Sequence, residues 1–209
     1  MQLIEDILTK LPFDVFSDAE LATIIENTPA VRHSRLTRAL AKGVIIQLRR
    51  GLYCMAEPYR RQRLNPYELA QRIYGPSYVS FESAFAYHNL IPEAVYCVAS
   101  ASAKRAREFS TPLGMFTYTQ IPPRVFAVEV ERIVEGRSVF LMASPLKAIV
   151  DYVYTRRLSW QGLTPLVESL RMEESDLIFK AEDIDNLEQT YQSPRVSRFL
   201  TGLKKDLSL

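Results

Sequence analysis

The sequence predicts an α+β protein on three observations. Apolar residues recur at helical spacing through the first 43 residues, between well-marked helix ends. From Ala94 to Leu141 the pattern becomes short runs of period two separated by turn residues, as in an antiparallel sheet. From Ser144 onward helical spacing returns.

In order, Gln2 to Leu11 carries an amphipathic run (Leu3, Ile4, Ile7, Leu8, Leu11). Ser17-Asp18-Ala19-Glu20 has the spacing of a capping box, where Ser and Glu satisfy each other's helix-start N–H groups, ahead of Leu21, Ile24 and Ile25. After a short turn at Asn27, Thr28 stands at the N-cap of a third helix. Pro29 occupies its first position, where a missing N–H costs nothing, and Gly43 closes it. Leu36, Leu40 and His33 fall on the inner side, with Ala39 at its edge; Ser34, Arg35, Arg38 and Lys42 line the outer side. Val44, Ile46 and Leu48 then alternate with Ile45 and Gln47, Arg49-Arg50-Gly51 makes a turn, and Leu52 to Met55 returns. Helices followed by a ribbon with a cationic tip are the order of a winged helix-turn-helix domain, assigned to residues 1–62.

Charge suggests what that domain meets. Thr28 to Arg63 holds nine Lys/Arg against one acid, Glu57, for a local net of +8 in a chain of net +2. Duplex DNA is a dense line of phosphates, and a basic helix face that fits the major groove is its expected counterpart. On this reading the DNA-binding residues are Arg32, Ser34, Arg35, Arg38, Lys42, Arg49 and Arg50. Ser34, Arg35 and Arg38 read base edges, and Lys42, Arg49 and Arg50 grip phosphates. The same residues also fit a merely solvated face, or a winged helix that contacts protein only.

Residues 57–68, EPYRRQRLNPYE, read as a linker, in which Arg60, Arg61 and Arg63 either extend along the DNA backbone or keep the linker wet. Residues 63–209 form the second domain, a mixed one with an antiparallel sheet and C-terminal helices. A helix from Asn65 or Pro66 through Ile73 leads to a short strand at Tyr78-Val79 and a helix capped by Ser80. That helix carries Phe81, Ala84, Phe85 and His88 on one face, with His88 expected as a satisfied boundary residue. Strands follow at Val95–Val98, Met115–Ile121, Val125–Val134 and Val139–Met142. Lys104, Arg105 and Arg107 form a turn or edge that either makes a second nucleic-acid or partner contact or blunts an exposed strand. Ser144-Pro145 opens a core helix with Leu146, Ile149, Val150 and Val153 inward, and helices are predicted at Trp160–Met172, Ala181–Tyr191 and Arg195–Leu207. Thr164 to Tyr191 is net −6 and suits a basic partner better than phosphates.

Composition narrows the chemistry. With 47% apolar and 24% charged residues the chain has an ordinary globular balance. No run approaches the ~20 apolar residues of a membrane helix, and acids stand where a signal peptide would be basic, so a cytoplasmic protein is expected. Two cysteines (Cys54, Cys97) and two histidines in no paired spacing argue against a metal site, and no cofactor motif is present. The one arrangement resembling a nuclease is Glu129 and Glu131, two apart in a predicted strand, with no lysine nearby in sequence. No enzyme is expected.

Several stretches together resemble one family. Arg50-Gly51-Leu52-Tyr53 closing the ribbon, then YVSFESAFAYHNLIPEAVYCVAS, KRAREFSTPLGMFTY and ASPLKAIVDYVY, resemble the AbiEi family of antitoxins of type IV toxin–antitoxin systems, over roughly Phe13 to Tyr154. Asn89 stands where that family usually has glycine, and Ser144-Pro145-Leu146-Lys147 replaces its more common helix start. The resemblance implies a transcriptional autorepressor whose winged helix binds inverted repeats in its operator, as a homodimer on double-stranded DNA. It also implies a C-terminal domain with antitoxin activity against a nucleotidyltransferase-like toxin. A solitary regulator without a toxin is the alternative on the same scaffold.

Overall fold

The computed structural model describes residues 2–25 and 28–209, with the side chains of residues 2, 3, 4 and 6 left aside. The turn expected at Asn27 and the packing expected of Leu3 and Ile4 lie outside the described residues. Helix α1 (Gln2–Lys10) leads to strand β1 (Val15–Ser17) and helix α2 (Asp18–Ile24). The predicted capping box is formed: Ser17 Oγ accepts from the Glu20 N–H at 3.1 Å, and Glu20 Oε2 accepts from the Ser17 N–H at 2.6 Å. Helix α3 (Pro29–Ala41) starts on its proline, since Thr28 makes no side-chain cap bond. It ends where Gly43, at φ 65°, donates to the Leu40 carbonyl at 2.9 Å.

Strands β2 (Ile45–Arg49) and β3 (Leu52–Met55) form an antiparallel ribbon, and β1 pairs along the other side of β3, with Val15 opposite Cys54. Alternation sends the two faces of this three-stranded sheet into different cores. Phe16, Ile45, Tyr53 and Met55 pack on Ile7, Leu11, Leu21, Ile25, Leu36 and Ala39 of the helices. Val15, Leu48, Leu52 and Cys54 pack on Leu69, Ala70 and Ile73, and on Phe116 and Tyr118 further along the chain. At ~25 cal/mol per Å² of apolar surface withdrawn from water, such contacts are the main cohesive term on either side. The second of these clusters spans the boundary expected at residue 62.

Helix α4 (Pro66–Ile73) begins at Asn65, whose Oδ1 accepts from the Tyr67 N–H at 2.9 Å. It is followed by β4 (Ser77–Val79), α5 (Phe81–Tyr87), β5 (Cys97–Ser102), β6 (Arg107–Thr111), β7 (Gly114–Gln120), β8 (Val130–Glu135) and β9 (Ser138–Ala143). Helices α6 (Pro145–Thr155), α7 (Thr164–Leu170), α8 (Ala181–Tyr191) and α9 (Pro194–Asp206) complete the chain. The six strands order as β6-β7-β5-β4-β9-β8. This corrects the expectation of an antiparallel sheet. The hairpins β6–β7 and β8–β9 are antiparallel as their spacing predicts, but β5 pairs β7, and β4 pairs β9, in parallel. Strand β6 runs on the outer side of β7, which therefore returns beside β5 in the same direction. The β4–β9 pair joins residues too distant in sequence for turn spacing to report. The strand expected from Val125 starts later because Pro123–Val125 is a 3-10 turn and Glu129 takes φ 53°.

Helix α6 buries Leu146, Ile149, Val150 and Val153 as expected, in one core with Tyr78, Phe85, Phe140, Ile184, Leu187 and Phe199. It also buries Lys147 and Asp151 completely. Asn89, after the last turn of α5, adopts φ 58°, a left-handed conformation that favours glycine and that asparagine tolerates.

Candidate nucleic-acid interface

The outward face of α3 is built by what faces inward. Leu36 and Ala39 are buried and Leu40 is half-buried, which leaves Ser34, Thr37 and Arg38 in the middle of the exposed side. Arg38 lies along this face, its Nε donating to the Ser34 carbonyl at 3.3 Å and its Nη2 to Ser34 Oγ at 3.2 Å. Two of the three residues expected to read base edges, Ser34 and Arg38, are thus one preset unit, which does not include Arg35. His33 is exposed rather than inward; the helical stripe centres nearer Ala39 than the predicted Leu40. Thr37, which sequence reasoning passed over, is exposed, its hydroxyl donating to the His33 carbonyl at 3.0 Å. Its place three residues after Ser34 was the available signal. Arg32 and Arg35 are half-buried on the flank, and neither is free.

At the ends of the ribbon, Lys42 and Arg50 are exposed. Arg49 is not offered outward. Its Nε donates to the Ile73 carbonyl at 2.5 Å and its Nη1 to the Arg50 carbonyl at 3.0 Å. The C-terminal end of α4 carries partial negative charge on its unpaired carbonyls and so attracts a guanidinium. The second basic group converges on the same helix end. Lys104 Nζ donates to the Gly75 carbonyl and lies 5.5 Å from the centre of the Tyr74 ring, and Tyr74 OH donates to the Arg105 carbonyl at 3.0 Å. Lys104, Arg105 and Arg107 are all exposed. Residues 49–50 and 104–107, half a hundred positions apart, therefore meet around Ile73 and Tyr74. One acid, Asp18, stands beside the ribbon tip, its N–H donating to the Gly51 carbonyl at 3.1 Å.

The linker arginines divide. Arg60 donates to the Met55 carbonyl at 2.8 Å. Arg61 pairs with the buried Asp14 at 3.0 Å and donates to the Ile7 and Leu8 carbonyls at the end of α1. Arg63 is exposed. Arg61 thus fastens α1 and the loop after it to the chain beyond β3, while Arg60 folds the linker back on β3 itself.

Candidate chemistry elsewhere is sparse. Glu129 precedes β8 in a left-handed conformation while Glu131 is exposed within it, so the two do not share the predicted strand face. Burial, then the neighbouring Asp183, pushes the Glu129 carboxyl above its usual range. No cluster of three or more His, Cys, Asp or Glu able to hold a metal occurs among the described residues. His88 is satisfied at a boundary, its Nε2 lying 2.9 Å from the Ala143 carbonyl oxygen.

What the sequence hid is a polar centre inside the second core. Lys147 Nζ lies 3.1 Å from Asp151 Oδ1 and 2.6 Å from Tyr191 OH, which itself donates to Asp151 Oδ1. Tyr78 OH and Ser80 Oγ each donate to Asp151 Oδ2 at 2.8 Å. Burial lowers the Lys147 pKa, against the opposing pull of Asp151 and Glu129. Both ionic side chains are fully enclosed, so the centre ties α6 to β4 and α8 and presents nothing to a substrate. No helix among the described residues is long and apolar enough to cross a membrane. No protein-family model matches this chain, and no curated protein matches it in sequence, so the likeness to AbiEi antitoxins rests on the quoted motifs alone.

Proposed function

We propose that residues 1–62 act as a winged helix-turn-helix domain and that the protein is a DNA-binding autorepressor. The observation that carries this is the Ser34–Arg38 unit on the open face of α3. A guanidinium held along a helix face suits the bidentate contact to guanine that dominates major-groove readout. Lys42 and Arg50 supply phosphate contacts on either side, and the meeting of the ribbon tip with Lys104, Arg105 and Arg107 supports a longer basic edge than the ribbon alone. On this reading the protein is cytoplasmic, works without cofactor or catalysis, and binds an inverted-repeat operator as a homodimer. The likeness to AbiEi antitoxins adds the second half of the proposal, neutralisation of a nucleotidyltransferase-like toxin. The test is binding of the full chain to the DNA upstream of its own reading frame at several salt concentrations, against a scrambled duplex. A specific complex whose affinity falls with salt supports the proposal, and equal or absent binding overturns it.

A second reading, a protein-binding module, is favoured by Tyr96. This residue is 92% exposed between two clefts of about 550 and 320 Å³, lined by Ile91, Val95, Leu113 and Met115 among others. Exposed aromatic anchors of this kind dominate protein interfaces. Failure of the chain to be retained on any duplex, together with capture of the toxin lost on Tyr96→Ala, would favour it.

A further inference from the structure

Tyr96 stands just before β5, and among the described residues it is the most exposed large apolar or aromatic side chain. It lies on the lip of the larger of its two clefts, about 550 Å³, whose walls include Ile91, Val95, Ala99 and Leu170. That volume falls within the ~300–1,000 Å³ of sites that enclose small ligands, so the cleft has room for an aromatic ring. On its far side Tyr96 borders the smaller cleft, where Met115 is 41% exposed. Charge around the larger cleft is balanced. Glu82 is bonded to Arg156, and Glu93 to Arg171 at 2.9 Å, two carboxylates against two guanidinium groups. Elsewhere the surface opposes contact with its own copy, since residues 28–63 are net +8 and residues 164–191 net −6. The acidic stretch enters the cleft only through Ser169 and Leu170, and Ile178, also widely exposed, lies inside that stretch.

We propose that the occupant of this cleft is Tyr96 of a second copy of the chain, in a two-fold dimer in which each copy fills the other's cleft. A projecting ring beside a hollow is self-complementary. A two-fold axis between the copies seats each ring in the opposite hollow, so a contact made once is made twice. Withdrawal of the ring and the apolar walls from water drives the association. At the cleft floor Thr117 Oγ1 and Cys97 Sγ, 3.5 Å apart, offer the incoming phenol a polar partner, as a buried tyrosine hydroxyl requires. The balanced rim adds no net repulsion between copies. This gives the homodimer expected on an operator a contact outside residues 1–62, but the contact itself rests on neither DNA binding nor a toxin. It differs from the second reading above in the occupant, a like chain in place of a foreign one.

The test is sedimentation velocity of the full chain over a concentration series at low and high salt. A monomer–dimer equilibrium is expected, little changed by salt because the contact is apolar. Tyr96→Ser removes the ring, and Ala94→Gln puts a longer side chain at the cleft wall; both positions are exposed, and circular dichroism checks that each variant is folded. Each should raise the dimer dissociation constant about tenfold or more. A mixture of the two restores one of the two contacts, the ring of one variant in the open cleft of the other, and so should associate more tightly than either variant alone. A chain that stays monomeric throughout, a dimer indifferent to both substitutions, or a mixture without recovery overturns the interface. So does a dimer that dissolves with salt, which would join the basic face to the acidic stretch. If the dimer forms and no duplex is bound, the DNA reading falls and the interface stands; specific duplex binding by a chain that remains monomeric removes the interface alone.

Discussion

Arg49 is bonded to Ile73, its guanidinium Nε 2.5 Å from the carbonyl oxygen at the end of α4. A side chain at the tip of a basic ribbon is thus spent on holding the ribbon to the rest of the molecule. Its neighbour Arg50 is left exposed. Arg49→Ala is expected to lower stability by about 1–2 kcal/mol through the lost charge-assisted bond, seen as a lower urea midpoint. Arg50→Ala should leave that midpoint within ~0.5 kcal/mol and reduce the slope of log affinity against log salt by ~0.9. The reverse pattern would mean that Arg49 leaves the helix end to meet DNA.

Arg38→Ala removes the guanidinium aligned along α3 by Ser34. Operator affinity should fall by ~1–3 kcal/mol at one base position, with little change on scrambled duplex, so that preference flattens. Ser34→Ala keeps the charge and removes one bond that orients it. It should give the smaller loss. Binding competitions against single-base operator variants separate the two.

Lys147 and Asp151 are a completely buried pair, and replacing one leaves the other uncompensated. Lys147→Met or Asp151→Asn should each cost about 3–5 kcal/mol, and the double variant less than the sum of the two. Chemical denaturation of the four proteins measures the coupling. Additive losses would mean that the pair contributes only through its separate contacts.

Alkaline pH gives a further check. Burial, reinforced by the Asp151 charge, raises Tyr78 and Tyr191 well above their ordinary value, and burial also raises Tyr118, whose hydroxyl donates to the Ala70 carbonyl at 2.6 Å. The fold favours the neutral phenols. The stability they confer is complete below the unfolded value of about 10 and is lost as pH rises through the folded values. Tyrosinate absorbance should therefore appear in two phases, exposed rings first and these three only with unfolding. A single phase near pH 10 without loss of circular dichroism would contradict the packing around them.

The parts of this structure governed by neighbours in the chain were legible beforehand. Ser17 and Glu20, Pro29 and Gly43, the turn at Arg50-Gly51 and the apolar stripe of α6 each declare themselves within a few residues. The parts set by distant partners were not. Period two showed that Leu48 and Ile45 point opposite ways, but not that Phe116 and Tyr118 wait on the Leu48 side. Lys147 and Asp151, four apart on a helix, look like an ordinary surface pair until Tyr78 and Tyr191 close over them. Arg61 counts toward basic charge in the sequence, whereas in space it neutralises Asp14 and caps α1. For the same reason the outward placing of Ser34 and Arg38 on α3 was foreseeable from its own spacing, while the exposure of His33 and the inward turn of Arg49 were not.

Val15, Leu48, Leu52 and Cys54 of the small sheet share one buried apolar cluster with Leu69 and Ile73 of α4 and with Phe116 and Tyr118 of β7. A molecule joined in this way transmits force instead of absorbing it. If the arginine-tipped hairpin meets a duplex as proposed, torque on it would reach Phe116 through packed apolar side chains, and a partner seated against the far strands would be coupled to it through the same contacts.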